Sequence, residues 1–225
     1  MVGTPHEKPN MSVSEMPTLS EHCWIFLRAL REAAKYVAGR MNVARGLRER
    51  WTTVLPTSVK SILFLCKGNI CRSPLAEAYF QYLVHNRRLS MTVRSAGLDT
   101  TPGKPAHANS KAVALQRQLS LDAHVTTQVH AELLDQSDLI IVMEIGQKDR
   151  VHRLYPNTKG KVALLGCFDE KGPLEIADPY SGTIDDFHSC FDRITRCCDT
   201  LAAKLRLEQG ELPIHQISST TKSKL

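Results

Sequence analysis

Continuous apolar runs alternate with amphipathic runs through the middle of this chain. Ile62 to Leu65 and Asp138 to Met143 read as buried strands, because their apolar residues follow one another instead of alternating. Met91 to Ala96 and Lys161 to Leu165 read as two shorter strands. Between them the apolar positions recur at helical spacing. Ser73 to about Arg88 is a predicted helix with Leu75, Tyr79, Tyr82 and Leu83 on one face. Ser110 to Leu119 is another, Glu132 to Gln136 a short helical turn, and Ile145 to Leu154 a helix that stops before Pro156. The last runs from about Ile184 to Leu207, with Asp185 and Asp186 in its first turn complementing the dipole. Strands alternating with helices predict an α/β domain: a four-stranded parallel, twisted sheet with helices on both faces. In such sheets ligands bind beyond the carboxyl ends of the strands.

The flanks read differently. Residues 1–21 are polar and carry Pro5, Pro9 and Pro17, the pattern of a mobile leader. Residues 22–58 form a helical extension with Trp24, Leu27, Leu30, Ala34, Val37 and Met41 at helical spacing, interrupted at Gly39 and Gly46. Seven basic residues oppose two acidic ones there. Such a stretch either lies on an anionic membrane surface or a partner, or packs on its own domain with a solvated charged face. The domain itself spans 59–207, and 208–225 is a polar tail.

Composition narrows the class. With 225 residues, 42% hydrophobic and 23% charged, the chain has length for one good core plus extensions. A net charge of +6 and a pI near 9.0 suit an enzyme that attracts anionic substrates. Aromatics at 6%, and no nucleic-acid-binding motif, argue against nucleic acid as a partner. Seven cysteines at irregular spacing, two of them adjacent, fit a reducing, cytoplasmic compartment better than a secreted disulfide framework. No metal-ligand spacing is present, so no metal or other cofactor is expected.

The densest chemistry lies directly after the first strand, in Cys66-Lys67-Gly68-Asn69-Ile70-Cys71-Arg72-Ser73-Pro74. Ser73 and Pro74 read as N-cap and first residue of a helix. A loop of this kind curls with its N–H groups inward beneath a helix N-terminus, which makes a cradle for a tetrahedral oxyanion. A thiol in that field ionises more readily than a free one. Arg72 can grip two phosphate oxygens with its planar fork. The bland alternative, a strand and tight turn with Cys66 as a core residue, explains neither the Arg nor the Gly68-Asn69 pair.

This loop resembles the signature loop of the low-molecular-weight protein tyrosine phosphatases, and the resemblance extends over about Val59 to Leu207. It implies a nucleophile, Cys66, and an anion grip formed by Arg72 with Lys67, Gly68, Asn69, Ile70, Cys71 and Ser73. Asp178, in Asp178-Pro179-Tyr180, matches the family's general acid, with Tyr180 as a wall of the cleft. Where some relatives have a second Tyr this chain has Ser181, which implies a thinner wall and broader selectivity. Asn69 resembles the family Asn held in a strained backbone, Ser95 the Ser that bonds it, Ser73 the hydroxyl that donates to the nucleophile, and His124 the His that orients that hydroxyl. Cys71 matches the cysteine that traps an oxidised nucleophile as a disulfide. Cys23, Cys167, Cys190, Cys197 and Cys198 look structural. Ser95-Ala96-Gly97-Leu98, Leu119-Ser120-Leu121 and Met143-Glu144 resemble the bacterial branch, whose members act on tyrosine autokinases of capsule or exopolysaccharide assembly. A phosphotyrosine protein, such an autokinase, is therefore the implied partner. Three rivals remain. Arsenate reductase needs relay cysteines, absent between Cys71 and Cys167; a protein-arginine phosphatase carries Thr where Ile70 stands; a phosphate-binding module would lack the acid.

Overall fold

Four strands build the sheet: β1 (Ser61–Cys66), β2 (Thr92–Gly97), β3 (Leu139–Val142) and β4 (Val162–Leu164). In this computed structural model, which describes residues 54–208, they pair in parallel in the order β2-β1-β3-β4. Parallel neighbours need crossovers, and helices supply them. These are α1 (Arg72–Asn86), α2 (Ala108–Leu115), α3 (Ala131–Asp135), α4 (Ile145–Leu154) and α5 (Ile184–Glu208). Two short 3-10 turns, Pro156–Thr158 and Leu165–Phe168, flank β4. The expected α/β architecture is therefore the observed one. The leader, residues 22–53 of the extension and residues 209–225 of the tail lie outside the described residues; residues 54–58 form neither helix nor strand. Among the described residues no helix is long and apolar enough to cross a membrane.

The continuous apolar runs follow from two covered faces. Ile62, Phe64 and Cys66 join Leu75, Phe80, Phe187 and Phe191 in one core. Leu63 and Leu65 point the other way, to Leu133, Leu134 and Val151. Asp138 fixes the register of β1 against β3, accepting from Lys60 N (2.8 Å), Ser61 N (2.9 Å) and Ser61 Oγ (2.9 Å). Burial opposes its charge, but these bonds more than offset it and hold the carboxyl below its ordinary value. The clamp is thus present at neutral pH and is lost only as the pH falls through that lowered value.

Three local expectations are corrected. Helix α1 starts at Arg72, with Cys71 at the N-cap and no side-chain cap, two residues ahead of the expected Ser73-Pro74 start. Pro74 sits third in the helix, where its missing N–H is harmless because first-turn amides have no intrahelical acceptor. The buried face of α1 holds Leu75, Ala76, Phe80 and Leu83, whereas Tyr82 is half exposed and stacks on Tyr79. At 3.6 residues per turn, Phe80 falls under Ala76 and meets Phe64 at 5.5 Å between ring centroids. Helix α2 ends at Leu115 and not Leu119, because the chain leaves it through Gln118 at φ +60°.

The strand order reverses at β1: β2 lies on one side of it, β3 and β4 on the other. The crevice at the carboxyl ends of β1 and β3 is the switch point where such sheets bind ligands. Cys66 ends β1, and one residue, Met143, separates the end of β3 from Glu144.

Candidate active site

Lys67 to Cys71 curl from the end of β1 to the start of α1. Asn69 allows the curl: its φ is +53°, in the left-handed region that Asn enters more readily than most side chains. Wholly buried, it is tied on every side. Its Nδ2 donates to Ser73 Oγ (2.9 Å) and Ser95 Oγ (2.8 Å), and its Oδ1 accepts from Thr127 N (2.9 Å). Ser95 Oγ donates in turn to Glu77 Oε2 at 2.6 Å. His124 Nε2 meets the Asn69 carbonyl at 2.8 Å. Any effect of His124 on the Ser73 hydroxyl therefore passes through Asn69, which donates to that hydroxyl.

The sulfur of Cys66 lies 3.0 Å from Ser73 Oγ and accepts from Asn69 N at 3.2 Å. Because Ser73 Oγ already accepts from Asn69, its own hydrogen is left to point at the sulfur. Outside the loop, Leu98 N, Asp99 N and Thr100 Oγ1 donate to the carbonyls of Cys66, Lys67 and Gly68 at 2.8–2.9 Å. Gly97 makes that approach possible: a Cβ there would come within 3.0 Å of the Lys67 carbonyl and 2.8 Å of Thr100 Cγ2.

Arg72 is the largest fully buried side chain among the described residues, 1% exposed. Its NH1 pairs with Glu144 Oε1 and donates to the Ile176 carbonyl at 3.1 Å; its NH2 donates to Asp178 Oδ2 at 2.7 Å. Burial opposes the charge, but Glu144, Cys66 and Asp178 outweigh it and hold the guanidinium above its ordinary value, so it stays cationic. Its Nε is buried with no acceptor in the protein. Buried donors are nearly always satisfied, and beside this loop the oxygen of a bound anion is the acceptor that suits it.

These groups surround a pocket of about 200 Å³, lined by Cys66, Lys67, Gly68, Ile70, Cys71 and Arg72, with Asp99, Asp178 and Tyr180 at its mouth. Asp178 arrives from 106 residues beyond Arg72, 40% exposed at its side chain, and Tyr180 N donates to its Oδ1 at 3.3 Å. Tyr180 is 59% exposed. Cys71 is buried, and burial, then the Asp178 charge, push its thiol up to about 12. Every candidate from the sequence lies either on the pocket or in the layer of Asn69, Ser73, Ser95 and His124 behind it. None of the six described cysteines is in a disulfide.

Two acids were not anticipated. Glu144 aims Arg72, and its signal is an acidic residue just past a buried strand, at the carboxyl ends of the strands where ligands bind. Glu77 anchors Ser95; burial holds its carboxyl above the usual range, with His124 Nδ1 4.0 Å away. Glu144→Ala should lower kcat/KM about 10–100-fold by letting the fork drift, since misplacement near 1 Å can cost about 10². Denaturation should show a loss of about 1–3 kcal/mol for the broken charged bond. Tighter phosphate inhibition in that variant would contradict the aiming role.

The family model of the low molecular weight phosphotyrosine protein phosphatases matches residues 61–211. The protein-tyrosine-phosphatase Wzb of Salmonella typhimurium is 37% identical over 150 residues, 67% of this chain and 97% of that one. A protein-arginine-phosphatase of Geobacillus stearothermophilus is 34% identical over 149 residues, 66% of this chain and 97% of its own. The crystal structure of the tyrosine phosphatase AmsI from Erwinia amylovora superposes with a TM-score of 0.62 at 33% identity, over 68% of this chain and 99% of that one. With a sheet, a loop and a match that coincide over the same residues, this chain belongs to the low molecular weight phosphotyrosine protein phosphatase family, in its bacterial branch with Wzb and AmsI.

Proposed function

We propose that this chain is a protein-tyrosine phosphatase that works through a phosphocysteine. The observation that carries the reading is the meeting of Cys66, Arg72 and Asp178 around one anion-sized pocket, with the Nε of Arg72 lacking a protein acceptor. Phosphate entering the cradle takes over NH2 of Arg72 from Asp178, and the acid is released toward the leaving oxygen. Cys66 attacks phosphorus as the thiolate while Asp178 protonates the departing phenol. A water then attacks the phosphocysteine with Asp178 as base, and Ser73 stabilises the sulfur as it leaves. Arg72 and the loop amides hold the equatorial oxygens throughout, and no metal takes part.

The relative that acts on phosphoarginine favours a second reading of the same site. Ile70 supports the aryl phosphate, since it places an apolar side chain at the pocket where the arginine phosphatases carry Thr. Assayed side by side, phosphotyrosine should be hydrolysed at least about tenfold more efficiently than phosphoarginine, a gap of about 1.4 kcal/mol. A preference for phosphoarginine would replace the substrate class and leave the chemistry standing. The partner that suits the bacterial branch is a tyrosine autokinase of exopolysaccharide assembly, in the cytoplasm; dephosphorylation of such a kinase by the purified protein tests it.

Cys71 extends the proposal. Peroxide converts the Cys66 thiolate to a sulfenic acid, and the Cys71 thiol condenses with it, releasing water and forming a disulfide. Peroxide-treated enzyme should regain most activity with thiol reductant, and Cys71→Ser should regain little; equal recovery would remove Cys71 from this role.

A further inference from the structure

His107 belongs to no part of the chemistry above, yet two residues of the pocket and one of the core meet on it. Its backbone N donates to the carbonyl of Ile70, in the phosphate loop, at 2.8 Å. Its Nδ1 accepts from Asn109 N at 3.2 Å, which makes it the N-cap of α2 and leaves the hydrogen of a neutral ring on Nε2. One ring face stacks on Phe187, in the first turn of α5, at 4.8 Å and 14°. Phe187 is fully buried, so the imidazole rests on rigid core. Tyr180 meets the same ring edge-on, at 5.8 Å between centroids and 66° between planes.

We propose that His107 is a positioning residue that sets the width and orientation of the aromatic slot, holding Ile70 on one side and Tyr180 on the other. The inference rests on the phosphotyrosine reading and deepens it by naming what selects a planar leaving group. Tyr180 is mostly exposed, and a solvent-facing phenol samples several rotamers unless a neighbour holds one. An edge-on ring contact biases that choice by about two- to tenfold. Because the backbone N of His107 also holds the Ile70 carbonyl, the two sides of the slot share one reference point. The phosphoryl group touches only the cradle, so its own binding does not depend on this wall.

The test compares binding of benzylphosphonate, which fills cradle and slot, with binding of inorganic phosphate, which fills the cradle alone. His107→Ala should weaken benzylphosphonate about fivefold while phosphate changes less than about twofold. His107→Phe keeps the stack and the edge contact and should restore the aryl ligand; His107→Asn keeps only the helix cap and should not. Equal weakening of both ligands, no change in either, or rescue by Asn and not Phe would overturn the proposal. These equilibria need no turnover. Whether the wild type hydrolyses phosphotyrosine decides the function reading, and the ratio of the two dissociation constants decides His107.

Discussion

Cys66→Ser is expected to bring hydrolysis of phosphotyrosine and of p-nitrophenyl phosphate to background, a fall of about 10⁴–10⁶-fold, with the protein still folded. A hydroxyl occupies nearly the space of the thiol, and it keeps the contacts to Ser73 and Asn69 N. Its proton, however, is held far more tightly. Neither of its hydrogen-bond partners, the Ser73 hydroxyl and Asn69 N, is a base that could make an alkoxide of Ser at neutral pH. Arg72 and the loop amides are untouched, so inorganic phosphate should bind within about threefold of the wild type. Thermal denaturation and phosphate binding, measured beside turnover, separate loss of the nucleophile from loss of the site. Residual turnover near the wild-type rate would remove Cys66 from the mechanism.

The second large effect falls on Asp178. Tyrosinate leaves poorly, its conjugate acid having a pKa of about 10, so a positioned acid is worth about 10²–10⁴-fold. Asp178→Ala should lower kcat for phosphotyrosine by that factor and leave KM little changed. Asp178 accepts from NH2 of Arg72, a donor that phosphate also needs. Removing it frees that donor, so ground-state binding should hold or tighten. The loss should shrink for aryl phosphates whose phenols are acidic enough to leave unprotonated. A raised KM with kcat intact, or equal losses for good and poor leaving groups, would make Asp178 a partner of Arg72 and nothing more.

Some of this was legible in the residues and some was not, for physical reasons. Strands β1 and β3 announce themselves because sheet faces covered on both sides demand apolar residues in succession. The loop is legible because a Cys, an Arg and a Gly68-Asn69 turn at that spacing have few other uses. Helix ends were read less well. Ser73-Pro74 mimics a start for α1 that lies two residues too late, because the true first turn is not capped by any side chain. The end of α2 was missed because Gln118 takes the left-handed conformation without being Gly or Asn. Glu144, Glu77 and His107 are hard to read from sequence for a different reason. Each acts on a residue distant in sequence, Arg72, Ser95 and Tyr180, and only the folded chain brings them into contact. His124 lies in the layer behind the loop, and the residue it bonds there, Asn69, is one that spacing alone does not name.

Rapid-quench mass spectrometry of the wild-type enzyme during turnover of a phosphotyrosine substrate tests the central claim most directly. The account predicts one phosphoryl group on the peptide carrying Cys66, accumulating within a single turnover and lost on the time scale of phosphate release. Steady hydrolysis with the phosphoryl group on another residue, or with no phosphorylated enzyme at any time, would contradict it.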